Sequence, residues 1–108
     1  MAIIGVPDGM PELSEAIKRN GFQVARLPRP PWKTAPPVDL IILKEPGLKR
    51  MRRLRSFITV PILAITSEGA GKRIRLVIEG ANRCLASSES PRVVAHANAL
   101  LRMASRQA

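Results

Sequence analysis

Short, almost continuous apolar runs recur along this sequence and alternate with segments of helical periodicity. The two clearest are residues 39–43, within VDLIILKEPG, and residues 58–66, ITVPILAIT. A run this short and this apolar, bounded by turn residues, is typical of a strand buried on both faces of a parallel sheet. Because parallel strands need long crossover connections, which are usually helices, the pattern predicts an α/β fold.

The rest of the sequence continues the same alternation. Predicted strands are 2–6, 22–27, 39–43, 58–66 and 83–86, and predicted helices are about 11–20, 48–57, 72–79 and 91–105. Pro11 and the pair Ser90-Pro91 are typical helix starts, and Gly21 and Gly80 are typical helix ends. The order implies a three-layer sandwich, in which helices cover both faces of one parallel sheet.

One segment breaks this alternation. In PRPPWKTAPP, residues 28–37, five of ten positions are proline, so neither a helix nor a central strand can form there. We predict an extended surface loop in place of a helix. Trp32 then either fixes the loop to the body of the protein or is displayed for a partner.

Length and composition limit the possible functions. The 108 residues are expected to form a single domain, 1–108, and 18 Lys and Arg against 8 Asp and Glu give a net charge of +10. This charge favours polyanions or acidic protein surfaces as partners. No signal peptide or membrane-spanning run is visible, so we expect a cytoplasmic protein without a membrane partner.

The residues that usually carry chemistry are scarce. Cys84 is the only cysteine and His96 the only histidine, which excludes an internal disulfide and the usual cysteine or histidine metal clusters. No serine has a neighbouring histidine or aspartate in the sequence that would make it a nucleophile. We therefore expect neither an enzyme, nor a metal site, nor a cofactor.

Four stretches of the second half follow a known pattern. They are DLIILK with its Pro-Gly turn, VPILAIT, IEGANRCLASSESP and VVAHANALLR. In this order they resemble the response-regulator receiver domain of bacterial two-component signalling. The resemblance implies a flavodoxin-like sheet of five parallel strands in the order 2-1-3-4-5, with the second helix of the family replaced by the proline-rich loop.

The same resemblance implies a site that has lost most of its chemistry. Receiver domains use an acidic pair after the first strand to hold Mg²⁺, an aspartate after the third as phosphoacceptor, a Thr or Ser after the fourth, and a lysine after the fifth. Here Asp8 stands alone, Lys44 takes the phosphoacceptor position, Thr66 matches, and Ser87 replaces the lysine. An ammonium cannot form an acyl phosphate, so the resemblance predicts a pseudo-receiver that is not phosphorylated.

Two interpretations of Lys44 remain open. Its ammonium could neutralise Asp8 where Mg²⁺ would sit, holding the domain in one state that no longer needs a phosphate. Alternatively, the former site has drifted and Lys44 reaches solvent. The first predicts an ammonium close to both Asp8 and the Thr66 hydroxyl.

Two surfaces are candidates for binding a partner. The first is a basic face formed by Lys49, Arg50, Arg52, Arg53, Arg55, Lys72, Arg73 and Arg75, which would bind an acidic protein or the phosphates of a nucleic acid unless it is merely solvated. The second is the family's helix 4, strand 5 and helix 5 face, here residues 72–79, 83–86 and 91–105. Its apolar residues Ile78, Val93 and Met103 could bind a regulatory protein or a second copy of the chain, unless they pack in the core instead.

Overall fold

The computed structural model describes residues 2–107, and the surroundings of side chains up to Ala104, so residues 1 and 108 of the predicted domain lie outside the described residues. The elements are β1 (Ile3–Pro7), α1 (Pro11–Arg19), β2 (Gln23–Leu27), β3 (Leu40–Lys44), α2 (Leu48–Arg55), β4 (Ile62–Ile65), α3 (Ala70–Ile78), β5 (Arg83–Leu85) and α4 (Ser90–Gln107). Among the described residues, no helix is both long and apolar enough to cross a bilayer.

The five strands form one parallel sheet in the order β2-β1-β3-β4-β5. The predicted sheet and strand order are confirmed. The order reverses at β1, which pairs with β2 on one side and β3 on the other. In sheets of this kind, ligands bind beyond the carboxyl ends of the strands near such a reversal.

Alternation along β3 shows how the sheet separates two apolar layers. Leu40 and Ile42 face one layer, where α1 and α4 pack, while Ile41 and Leu43 face the other, where α2 and α3 pack. All four side chains are buried. Because successive residues of a strand point to opposite faces, an almost continuous apolar run is what a doubly covered strand requires.

Two apolar segments differ from one of their sequence-based interpretations. Val93 was a candidate either for an exposed partner face or for core packing, and it is fully buried in the layer between α4 and the sheet. Strand β4 is also shorter than the predicted 58–66. It begins after Pro61, which has no N–H to donate to a neighbouring strand, and Ile58 belongs to the segment that leads into it.

Residues 28–39 connect β2 to β3 without a helix. Trp32 packs against the α2 and α3 layer, and its Nε1 donates a hydrogen bond to the Pro28 carbonyl oxygen at 2.9 Å. The peptide bond between Pro30 and Pro31 is cis. Of the two roles considered for Trp32, the contacts fit the one that fixes the loop to the body of the protein.

Candidate functional site

The carboxyl edge of the sheet carries the four residues that the resemblance matches to the receiver site. Asp8 follows β1, Lys44 ends β3, Thr66 follows β4, and Ser87 lies two residues beyond β5. Asp8 and Lys44 border one cavity of about 440 Å³ at the reversal between β1 and β3. Parallel strands end at the same edge, which is why the sequence could predict that these residues are neighbours.

Thr66 is fully buried and its hydroxyl is already engaged. It donates a hydrogen bond to Glu45 Oε2 at 3.0 Å and accepts one from the Glu68 amide at 3.2 Å. The other carboxylate oxygen of Glu45 accepts the Ser67 amide at 2.7 Å. Glu45 therefore links the ends of β3 and β4 through the hydroxyl that the resemblance matches to the family's Thr or Ser after the fourth strand.

The backbone turns sharply to bring Glu45 to this position. Its φ is +50°, in the left-handed region that costs a side chain roughly 1–2 kcal/mol, and its amide donates to the Ile65 carbonyl at 2.7 Å. That hydrogen bond and the two that the carboxylate accepts offset the strain. A residue held against its backbone preference at a functional edge is often part of a mechanism.

The electrostatics favour an ionised Glu45. The Ser67 amide, by donating to the carboxylate, lowers the pKa of Glu45 below its ordinary value against the opposing effect of burial. The Ser67 and Thr66 side chains and the neighbouring Lys44 ammonium lower the pKa further. The edge therefore holds a carboxylate, not a carboxylic acid, at neutral pH.

Sequence reasoning missed Glu45. The resemblance matches Lys44 to the phosphoacceptor position of receiver domains, and Glu45 is the residue directly after it. A signal was nevertheless present, because an acidic residue directly follows a buried strand and precedes the Pro46-Gly47 turn. What could not be foreseen is the left-handed backbone that directs its carboxylate toward β4.

Lys44 does not form the ion pair that one interpretation required. Both Lys44 and Asp8 are exposed, and no salt bridge within 4.0 Å joins them in the described part of the chain. Nor does Lys44 hydrogen-bond to the Thr66 hydroxyl within the described residues, since that hydroxyl donates to Glu45. The charge of Lys44 is the smallest of the influences that lower the pKa of Glu45.

Ser87 has a local role. Its half-buried hydroxyl accepts the Glu89 amide at 3.1 Å in the turn that leads into α4. Within residues 2–107, no group of three or more His, Cys, Asp or Glu side chains could hold a metal ion.

Some cations of the predicted basic face bind an acceptor within the protein, and others have no salt bridge among the described residues. The guanidinium of Arg52 binds both carboxylate oxygens of Glu79, at 2.6 and 2.7 Å, and this contact lowers the pKa of Glu79. The Arg55 guanidinium has four acceptors within the protein. Lys72 lies 3.5 Å from a Glu68 carboxylate oxygen. The remaining members have no salt bridge among the described residues, namely Lys49, Arg50, Arg53, Arg73 and Arg75.

Four of the basic residues line a cavity of about 640 Å³ between the proline-rich loop and α2. They are Lys49, Arg50, Arg53 and Lys72, and the cavity also includes Trp32, Leu48, Leu54 and Phe57. Arg73 and Arg75 of α3 do not border it. The predicted face is thus partly a cleft with an apolar floor and partly open helix surface.

Comparison with solved structures identifies the fold. The chain is similar to a two-component response regulator from Clostridium difficile, with a TM-score of 0.77 and 17% identity over 94% of this chain and 97% of that one. The receiver domain of a Francisella response regulator gives a TM-score of 0.75 and 13% identity, over 96% and 99% of the two chains. An orphan response regulator of H. pylori gives 0.71 and 12%, over 92% and 96%.

These identities are low, and the likeness concerns the fold alone. No protein-family model matches the sequence. Among curated proteins, none matches it significantly. The function therefore has to be argued from the residues at the carboxyl edge and on the surface.

Proposed function

We propose that this chain is a receiver-like regulatory domain that is not phosphorylated and that acts through contacts with other proteins. The fold is similar to that of response-regulator receivers. The resemblance of the sequence to this family matches Lys44 to the phosphoacceptor position. A single carboxylate, Asp8, stands where the family has an acidic pair, and one carboxylate holds Mg²⁺ poorly. The proposal includes neither catalysis nor a cofactor, and it keeps the expected cytoplasmic location.

The contact between Glu45 and Thr66 carries this proposal. In the receiver family, the hydroxyl after the fourth strand responds to the phosphoryl group. Here the Thr66 hydroxyl donates to a carboxylate of the same chain at 3.0 Å and is shielded from solvent. Glu45 thus acts as a permanent substitute for the phosphoryl group and holds the edge in one state.

The proline-rich loop belongs to the same proposal. We infer that it replaces the second helix of the receiver family, since residues 28–39 contain no helix and the strand order of the sheet is retained. A receiver that has exchanged a helix for an extended segment offers a different surface to its partners. This difference fits a domain whose contacts have diverged from those of phosphorylated relatives.

The partner surface in this proposal lies on α3, β5 and α4. Ile74 and Ile78 of α3 are 62% and 74% exposed, and Met103 of α4 is 48% exposed. These two helices cover opposite faces of the sheet on either side of the edge strand β5, and exposed apolar side chains of this kind are typical of protein interfaces. The occupant would be a regulatory protein or a second copy of the chain.

A second candidate function is association with nucleic acid. It is favoured by the charge of +10 and by cations on α2 that have no acidic partner, such as Lys49 and Arg53. This function requires binding to DNA or RNA that weakens steeply as salt is added.

Treatment with a small phosphoryl donor tests the main proposal. We expect that acetyl phosphate with Mg²⁺ adds no phosphoryl group to the purified protein, measured by intact mass, under conditions that label an ordinary receiver domain in parallel. An adduct on any residue of the carboxyl edge would contradict the proposal. The variant Lys44→Asp is the matched control, and we expect it to label poorly as well, because Asp8 alone does not hold Mg²⁺.

A further inference from the structure

We propose that the cleft around Trp32 binds an acidic, amphipathic segment of a partner protein. We call it the Trp32 groove, and it consists of the cavity of about 640 Å³ beside α2 and the cavity of about 440 Å³ at the carboxyl edge. Both cavities are bordered by Pro30, Trp32 and Arg50, so they adjoin on either side of the indole. The inference rests on the proposed interaction function and adds to it a second surface and the chemistry of the partner that this surface binds.

The groove is formed before any partner arrives. The indole of Trp32 is held by its hydrogen bond to the Pro28 carbonyl and by packing against the α2 and α3 layer. The prolines of residues 28–37 restrict the backbone of the wall. A wall that is already ordered loses little conformational entropy on binding, which favours affinity.

The floor and the rim of the first cavity differ in character. Its floor is apolar, from Leu48, Leu54, Phe57 and the proline side chains. Its rim is cationic, and three members, Lys49, Arg50 and Arg53, are exposed and have no salt bridge among the described residues. Such a surface is complementary to a segment that combines apolar side chains with carboxylates.

The same features favour a peptide over a nucleic acid. Binding of single strands depends on aromatic faces on which bases stack. The indole of Trp32 is half-buried, and the lining residues Leu48 and Leu54 offer no aromatic face to a base. The carboxylates of Asp8 and Glu45 line only the second cavity, so we expect the acidic side chains of the segment to bind at the first cavity, beside Lys49, Arg50 and Arg53.

Trp32 provides a direct signal for binding. It is the only tryptophan, and the chain has no tyrosine, so the intrinsic fluorescence reports on the groove. The probe is a synthetic peptide that carries Leu at helical spacing among Glu residues. We expect a saturable change in Trp32 emission that weakens with NaCl, and no such change for matched peptides with Gln for Glu or Ser for Leu.

Charge reversal locates the site. In fluorescence anisotropy with the labelled peptide, we expect the double variant Arg50→Glu, Arg53→Glu to bind at least about tenfold more weakly, because both lost charges face the groove. The control is Arg92→Glu, Arg102→Glu, which makes the same change at exposed positions of α4 and is expected to retain affinity. Circular dichroism verifies that both variants are folded.

Three results would overturn the inference. They are no binding of the acidic peptide, an equal loss in the two double variants, and tighter binding of a thymidine oligonucleotide than of the peptide. The last would support the nucleic-acid function instead. None of these results bears on phosphoryl labelling, so a failure of this inference is distinguishable from a failure of the proposed function.

Discussion

At the scale of single residues, the chemistry of this edge depends on a side chain that the receiver pattern does not mention. Glu45 occupies a strained backbone conformation and accepts hydrogen bonds from the Thr66 hydroxyl and the Ser67 amide. Both contacts require an ionised carboxylate for full strength. The stability of the edge should therefore depend on pH.

The sign of this dependence follows from the lowered pKa of Glu45. The unfolded chain titrates near the ordinary value of 4.5, and the folded chain titrates below it. The contribution of Glu45 is therefore fully present above about pH 4.5 and is lost as the pH falls through the folded-state pKa.

We expect Glu45→Gln to lower the free energy of unfolding at pH 7 by roughly 0.5–1 kcal/mol, a modest value because the carboxylate is exposed. The difference in the free energy of unfolding between the variant and the parent protein should shrink in acid. Urea unfolding at pH 7 and below about pH 4.5 measures this difference. The control is Glu89→Gln, since the Glu89 side chain has no hydrogen bond or ion pair among the described residues. A difference that is the same at neutral and acid pH would contradict this role.

Individual residues also mark the limit of what the sequence could predict. The apolar strands were predictable because doubly covered strands must be apolar almost throughout. The positions of Asp8, Lys44 and Thr66 at one edge followed from the strand ends. The partner of Thr66 did not follow, because it depends on one left-handed residue and on the register between β3 and β4.

At the scale of elements, one arginine joins three parts of the fold. Arg55, at the end of α2, donates to the carbonyls of Ile58 and Val60, which lead into β4. It also donates to the carbonyl of Gly80 at 2.9 Å and to Asn82 Oδ1 at 2.6 Å, in the turn between α3 and β5. This arginine was predicted to bind polyanions, but its contacts assign it to the fold.

Gly80 lies at this junction, where the backbone conformation and the space available suit a residue without a Cβ atom. Its φ is +134°, and a Cβ atom there would lie only 2.6 Å from the Cβ of Arg55. The sequence indicated Gly80 as a helix end, which is correct for α3. The close approach of α2 is a tertiary contact, and no local pattern encodes it.

We expect Arg55→Ala to destabilise the protein by about 2 kcal/mol, because it leaves several backbone carbonyls without their donor. Urea unfolding measures the change. Arg53→Ala is the matched control, since Arg53 is exposed on the same helix, and we expect it to stay within about 0.5 kcal/mol of the parent protein. Equal effects of the two substitutions would show that Arg55 contributes only charge.

Helix α3 shows why the faces of short helices are hard to predict. Four apolar residues, Ile74, Leu76, Val77 and Ile78, leave the choice of buried face open over so few turns. In the structure only Leu76 is buried. Ile74, Val77 and Ile78 remain on the surface.

At the scale of the whole molecule, two surface properties oppose each other. The net charge of +10 makes copies of the chain repel one another, whereas the exposed apolar residues of α3 favour association. Salt screens the repulsion and leaves the apolar attraction largely intact. Association through α3 should therefore increase with ionic strength, while binding in the Trp32 groove should decrease.

We expect sedimentation velocity to show a dimer whose fraction rises with NaCl and falls on Ile78→Ser, because this substitution removes the most exposed apolar side chain of α3. The control is Phe57→Ser, which removes an exposed apolar side chain that borders the Trp32 groove. If the protein is a monomer at all salt concentrations, the partner of this face is a different protein and not a second copy of the chain. Dissociation by salt would contradict an apolar interface.

The connection between β2 and β3 has a consequence for how chains of this kind diverge. A helix that packs on a sheet can change length only in steps that preserve its buried face. An extended segment fixed at one point, as residues 28–37 are fixed by Trp32, carries no such periodic constraint. Insertions and deletions should therefore accumulate between Lys33 and Pro37 in related sequences, so that this part of the loop, outside the groove, evolves faster than the sheet beneath it.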